Sequence, residues 1–512
     1  MKQKLVFIIL TFFTLQSFAQ SSASKIFDEV KEVTVRNVGV IKKNNEVKGY
    51  FSFYEYDKAS KGTILFKLNL MDENLNPLGT KEIEGPKTWE LISSGFDGNN
   101  FCFKFFDPKA KAFELKVYDQ QAKEVTTAEI EKNYGDNSYK YKMYKQYENP
   151  ELNIIPDHGF VNYTFNDEND GFTTTYVNGS PKKQWSRAYE PDGRYKIMTP
   201  SFLGGNEEMV LTFVTKVNKG MYTTSTDNAL LAQSTGSGSK IFELSTNIQD
   251  KFVVPISASF DADKISLVGL HYPTSNVSVA SPDGLAFIEL NKQGKVIKSI
   301  FQTFEQSLGK YFTLDSKGKI DGDYFFYVHD IQRTKNNTNV LIGEKFRKKT
   351  SGGGAALSMM GGGNGFVKLE LENMILIEYD LSGKVLQAKE IPKAKGFTGT
   401  FPSYSGFFPP YMLAQVADIW GWMDYMYTLR NEDNSELTFS FLDYEKLEDD
   451  DKKTHNFGQI KYKNGVITSD KVAIKNEKAT FTHLYPAKSG YVLQMNYFKK
   501  KKQMTMDFIK LN

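Results

Sequence analysis

The stretch that most restricts what this chain can become is Ile375–Ile391, ILIEYDLSGKVLQAKEI. Ile375, Ile377, Tyr379 and Leu381 fall on one face of a strand, and Met374, Leu376, Glu378 and Asp380 fall on the other. A period of two, built from β-branched and aromatic residues, predicts a β-strand rather than a helix. The strand must turn at Asp380-Leu381-Ser382-Gly383-Lys384, where an aspartate can accept hydrogen bonds from the turning backbone and a glycine tolerates positive φ. The chain then returns through Val385, Leu386 and Ala388 as the second arm of a hairpin.

Looser copies of this hairpin recur. Asn291–Lys295 repeats the turn after Leu285–Leu290, and Asp119–Lys123 repeats it after Phe113–Tyr118 with Ala122 in the glycine position. Met71–Leu78 is a longer version after Ile64–Leu70. Asp315–Lys319 has the same chemistry at another place in the repeat, so the turn alone does not set the register. A supersecondary unit that cannot bury its faces alone, repeated in series, marks a solenoid or a propeller.

Taken in order, the strand-like segments group into eight units of four strands, or seven if one of the weaker units between Gly159 and Leu244 is an excursion. The last unit, Ala479–Leu484, Tyr491–Phe498 and Met504–Leu511, lacks an outer strand, whereas Lys25–Arg36 is a strand-like piece without a partner. Pairing the two closes a ring and removes two exposed edges. The expected fold is therefore all-β: a β-propeller of seven or eight four-stranded blades closed by the N-terminal strand. Two or three β-sandwich domains are the alternative, although the Pro/Ser-rich linkers they call for are missing. The abundance of aromatics (40 Phe, 28 Tyr) beside a single cysteine fits a strand-building chain.

Residues 1–19 read as a signal peptide: Lys2 and Lys4, then the apolar run Leu5–Leu15, then Ser17-Phe18-Ala19 before the cut. The apolar run is too short to span a bilayer, and no cysteine lies near the cut to carry a lipid anchor. Residues 20–512 are then one propeller domain, expected in the periplasm or outside the cell. Strand order, hairpin turns and leader together resemble the uncharacterised, exported, propeller-like envelope proteins of Gram-negative bacteria whose leaders end in Ala-Gln. That resemblance implies a fold and no activity. The chain carries no WD dipeptide pattern, no kelch double glycine and no Asp-box.

Loss of the leader leaves 62 basic residues against 61 acidic ones, a balance that argues against nucleic acid as a partner. Cys102 alternates with Phe101, Phe103 and Phe105 and is expected as a small buried apolar residue. The five histidines form no paired metal-ligand spacing, there is no G-x-S-x-G elbow, and neither cofactor nor metal nor a catalytic residue is assigned. Asp167–Gly171 has the oxygen density of a calcium loop without its spacing and reads as a hairpin tip. His329 and Asp330 are sequence neighbours on a strand, so they face opposite ways and are not a pair.

Two segments depart from the repeat. Residues 348–365 carry two triple-glycine runs and predict a flexible loop. The aromatic connection 397–422 offers Phe407, Phe408, Tyr411, Asp418, Trp420 and Trp422 as candidate ligand-binding residues. These rings either plug the core or form a platform for a sugar or a peptide. The functional expectation is a non-enzymatic binding or assembly protein that presents these loops to a protein or glycan. The alternative is a carbohydrate-active enzyme, glycosidase or lyase, with carboxylates such as Asp418 or Asp424 beside the tryptophans.

Overall fold

In a computed structural model, the turns that mark the repeat form as their chemistry predicts. Asp380 Oδ1 accepts from the amides of Ser382 at 2.8 Å and Lys384 at 3.0 Å, and Gly383 sits at φ 81°. Asn291 holds Gln293 and Lys295 in the same way around Gly294. Asp119 and Asp72 do so around Ala122 (φ 57°) and Leu75 (φ 66°), which adopt the left-handed conformation without being glycine. Each of these four turns joins the third strand of a blade to its outer strand.

The structure describes residues 24–31, 33, 37–43, 46–107, 109–110, 112–131, 152–166, 171–180, 183–190, 195–218, 226–275, 280–315, 319–350, 367–401, 408–446, 453–474 and 479–511. The leader, the tip 167–170, most of the glycine-rich segment and Phe407 lie outside them.

Eight antiparallel sheets follow one another along the chain, so the ring has eight blades rather than seven, and no sandwich domains. Blade 1 is Val38–Lys43, Glu46–Ser60, Thr63–Asp72 and Pro77–Pro86; blade 5 is Lys251–Phe260, Lys264–Tyr272, Gly284–Asn291 and Val296–Thr303. Blade 6 is Phe325–Arg333, Asn339–Thr350, Val367–Tyr379 and Val385–Ile391; blade 7 is Tyr425–Arg430, Glu436–Lys446, Lys453–Lys463 and Val466–Ala473. The first strands of most neighbouring blades touch one another, which places them around the axis.

Packing explains why strands of this kind carry apolar residues on both faces. Ile375, Ile377 and Tyr379 pack toward blade 5, whereas Met374 and Leu376 pack toward blade 7. Phe101, Phe103 and Phe105 face blade 1, while Cys102, fully buried, faces blade 3, where burial pushes its thiol pKa up. Each of the eight junctions between adjacent blades has its own apolar cluster.

The ring closes in blade 8, Phe481–Pro486, Tyr491–Phe498 and Gln503–Lys510, whose outer strand is Ser24–Phe27 from the N-terminus. Ser24 pairs with Asp507 and Phe27 with Met504. The described chain then crosses to blade 1, burying Phe27, Val30 and Val33 in the cluster shared by blades 8 and 1. The Tyr497 hydroxyl donates to the Lys31 carbonyl at 2.6 Å, and the Val30 amide donates to the Lys502 carbonyl at 2.9 Å. A chain beginning at Asn37 loses the strand and three buried apolar side chains, a cost on the order of 5 kcal/mol. Chemical denaturation should show a clearly lower midpoint for that shortened chain; an unchanged midpoint contradicts the closure.

Candidate functional site

Blade 6 is where the ring departs from its pattern. Its second and third strands run past the other two, so that Arg347–Thr350 pairs with Val367–Glu370 as a projecting hairpin. Lys348, expected in a loop, therefore lies at the end of a strand. A bulge between Glu344 and Phe346 marks where the projection begins. Arg347 clamps Glu370 through both Nε (2.6 Å) and a terminal nitrogen (2.5 Å), and the Tyr324 hydroxyl donates to the same carboxylate at 2.7 Å.

The connection that follows blade 6 packs onto this projection. Gly396–Phe397 pairs with Glu370–Leu371, and the Phe401 amide donates to the Val367 carbonyl at 2.9 Å. Beyond it lies a helix that the sequence reading did not anticipate, Pro410–Ile419, called α1 here. Pro410 at its first position lacks only an N–H that no helical partner needs, and Gly421 at φ 66° ends it. Tyr411, Ala414 and Ala417, spaced by three, are buried against blade 6 with Leu413. That spacing after Pro-Pro was the available signal.

The candidate residues therefore separate. Tyr411 is core, 3% exposed. Phe408 is half-buried, and its carbonyl accepts from Lys348 Nζ at 2.9 Å. Trp420 and Trp422 are half-buried, with ring centroids 4.6 Å apart, and both meet the buried Phe401. Trp422 lies flat over Gly399, where a side-chain methyl would come within 2.8 Å of the indole. Asp418 and Ile419 at the end of α1 are exposed, Ile419 by 80%.

Beneath this rim, between blades 6 and 7, is a buried charged cluster. Lys393 Nζ lies 3.0 Å from Glu344 and 2.5 Å from Asp424, and these three side chains are almost wholly out of solvent. Tyr444 donates to Asp424 at 2.9 Å. The fully buried His329 side chain has Nε2 3.4 Å from Glu344 and Nδ1 3.4 Å from Asp418, and its ring stacks on Tyr425 at 4.8 Å. Tyr327 donates to Asp418 at 3.1 Å. His329 is the extra residue of a bulge in its strand, which aims it at these carboxylates; Asp330 instead accepts from Gln332 and Tyr425, so the two neighbours are not a pair. Glu344 and Lys393, distant in sequence, carried no pattern that would have singled them out.

Burial alone would lower the His329 pKa, but the carboxylates of Asp418 and Glu344 outweigh it and raise the pKa to about 9. Burial would raise Glu344, yet Lys393 and His329 hold it below the usual carboxylate range. Asp424 is pushed up to about 7, by burial first and then by the charge of Glu344, against the pull of Lys393. Asp418 is the member of this cluster that reaches solvent, with 42% of its side chain exposed. The arrangement can hold a proton on His329 behind Asp418, but the imidazole itself cannot touch a ligand.

Over residues 1–512 the sequence matches a family of unknown function (DUF6770). The chain belongs to that family. No curated protein matches it. Among solved structures the DUF6770 chain is similar to the WD40 domain of SCAP from fission yeast, at 8% identity over 95% of this chain and 98% of that one with a TM-score of 0.37. It is also similar to the WD40 domain of Toxoplasma gondii coronin (8% identity, 94% and 89% covered, TM-score 0.34) and to the polysaccharide lyase Uly1 (10%, 93% and 90%, 0.34). These likenesses concern the fold alone.

Two outcomes follow for the DUF6770 cluster. Lys393→Met leaves Asp424 buried without a cation and Glu344 with His329 alone, and should cost about 3–5 kcal/mol in urea denaturation at neutral pH; a loss below about 1 kcal/mol contradicts the pairing. Because the His329 pKa is raised on folding, its contribution is full below about pH 6.5 and fades as pH rises through about 9. The stability gap between wild type and His329→Gln should therefore shrink between pH 6 and pH 9.5, and a gap that widens contradicts the assignment.

Proposed function

We propose that this DUF6770 protein is an exported, non-enzymatic binding or assembly protein of the cell envelope, which presents the rim of blade 6 to a protein or glycan. The observation that carries this reading is the end of α1. Ile419 stands almost fully in solvent beside the half-buried Trp420 and Trp422 and the exposed carboxylate of Asp418, and Phe397 nearby is 51% exposed. Apolar rings with polar edges on a stiff support suit recognition, because little side-chain freedom is lost on contact. The projecting hairpin beside them carries Lys348–Thr350, the described start of the glycine-rich stretch.

The reading as a carbohydrate-active enzyme loses one of its two carboxylates. Asp424 is 2% exposed and ion-paired to Lys393, so it faces the junction between blades rather than a substrate. The leader at residues 1–19 supports export, and no helix among the described residues is long and apolar enough to cross a membrane. The near balance of charge speaks for partners other than nucleic acid.

The test is binding of the purified protein to a glycan array and to cross-linked envelope extract, compared with Ile419→Asp and with Trp420→Ala/Trp422→Ala. Ile419→Asp alters an exposed position, so it should keep the unfolding midpoint and lose most of the captured partner. Equal capture by wild type and both variants overturns the proposal.

A further inference from the structure

At the ring's axis lies a polar cavity of about 320 Å³, half open to solvent and lined by the first strands of five blades, including blades 1, 5, 6 and 7. Only the axis is shared by strands so far apart in the ring. Blade 1 contributes Lys42, blade 5 Ser257, blade 6 Asp330 and Gln332, and blade 7 Thr428 and Arg430. The fold itself does not ask for these charges, since the blades are held by the apolar clusters at their junctions.

Lys42 and Arg430 face the cavity together. The Lys42 pKa is lowered by the surrounding protein first and by Arg430 second, although its side chain reaches the channel water. Arg430 is lowered by burial, with Asp330 opposing. Among the described residues neither cation has an ion-pair partner within 4.0 Å. Asp330 is engaged by neutral donors: Gln332 Nε2 at 2.9 Å to each oxygen, the Ile331 amide at 2.7 Å and the Tyr425 hydroxyl at 3.4 Å. Two cations against one carboxylate leave a net charge of one in a confined space, a costly arrangement that an anion relieves.

We propose that this axial cavity binds a small hydroxylated carboxylate of the uronic-acid class. The guanidinium of Arg430 offers a planar fork that matches a carboxylate, with Lys42 as a second point charge. Ser257 and the free oxygen of Gln332 offer partners to the hydroxyls of a monosaccharide, while the Thr428 hydroxyl is bonded to that of Tyr425 at 2.7 Å. The fixed charge of Asp330 disfavours a dianion such as inorganic phosphate. The volume sits at the lower end of small-molecule sites, which run from about 300 to 1,000 Å³, and so suits one sugar ring rather than a chain. This site is separate from the blade 6 rim.

Isothermal titration calorimetry of the purified protein at pH 7 and fixed ionic strength tests it, with sodium galacturonate, sodium glucuronate, galactose and inorganic phosphate as probes. At least one uronate should bind at one site per chain, about tenfold or more tighter than galactose or phosphate. Lys42→Met and Arg430→Met should each weaken uronate binding by about tenfold or more, whereas Ile419→Asp, which does not line the cavity, should leave it unchanged. Lys42 lies on another blade from Arg430 and reaches water, so its variant keeps the test decisive if Arg430→Met does not fold. Absence of uronate binding, equal or tighter binding of phosphate or galactose, or undiminished binding by Lys42→Met overturns the proposal.

Discussion

The constraint on which the rest depends is that the blades have two apolar faces, so each needs a neighbour on both sides. In the third strand of blade 6, Ile375, Ile377 and Tyr379 are buried toward one neighbour and Met374 and Leu376 toward the other. A row of such blades leaves two unsatisfied faces at its ends, and bringing those faces together is the only arrangement that buries all of them. The ring follows from this. The strand Ser24–Phe27 supplies the outer edge of blade 8, and Phe27, Val30 and Val33 fill the junction between blades 8 and 1.

Once the ring is fixed, variation is concentrated at its axis and rims, because most of each junction is filled by apolar side chains. Blade 6 uses both. Its extended second and third strands support Gly396–Phe401 and α1, and its first strand carries His329 toward the junction with blade 7 and Asp330 to the axial cavity. The junction of blades 6 and 7 also departs from the apolar rule, with Lys393 between Glu344 and Asp424 beside the apolar cluster. A buried ion group of this kind seldom adds net stability over well-packed apolar residues, but it tolerates only one arrangement of its parts. It ties the segment after blade 6 to the start of blade 7 and so fixes where α1 emerges.

Much of the architecture was legible in the sequence because propeller strands are local and their turns are chemical. Asp380 to Lys384 shows its Asx-type turn in five consecutive letters, and the homologous turns at Asn291 and Asp119 repeat it. The orphan N-terminal strand was legible for the same reason, by counting strands. The site was less so. Tyr411 alternates with nothing, so the sequence alone leaves it between core plug and ligand platform, and the three-residue spacing to Ala414 and Ala417 turns it into the core (Trp420 and Trp422 stay at the edge). Glu344, Lys393 and Asp424 are brought together from the second strand of one blade, the end of that blade and the start of the next. No spacing encodes such a meeting, because it is made by the ring. The same holds for Lys42 and Arg430, which lie in the first and the seventh blade.

Amide hydrogen exchange across Gln503–Lys510 addresses ring closure most directly. In this strand alternate amides point to Tyr491–Phe498 on one side and to Ser24–Phe27 on the other. With the N-terminal strand in place, the amides from Met504 to Asp507 should all exchange slowly. Protection of only every second amide there would show an open edge, and the closed eight-bladed ring would be wrong.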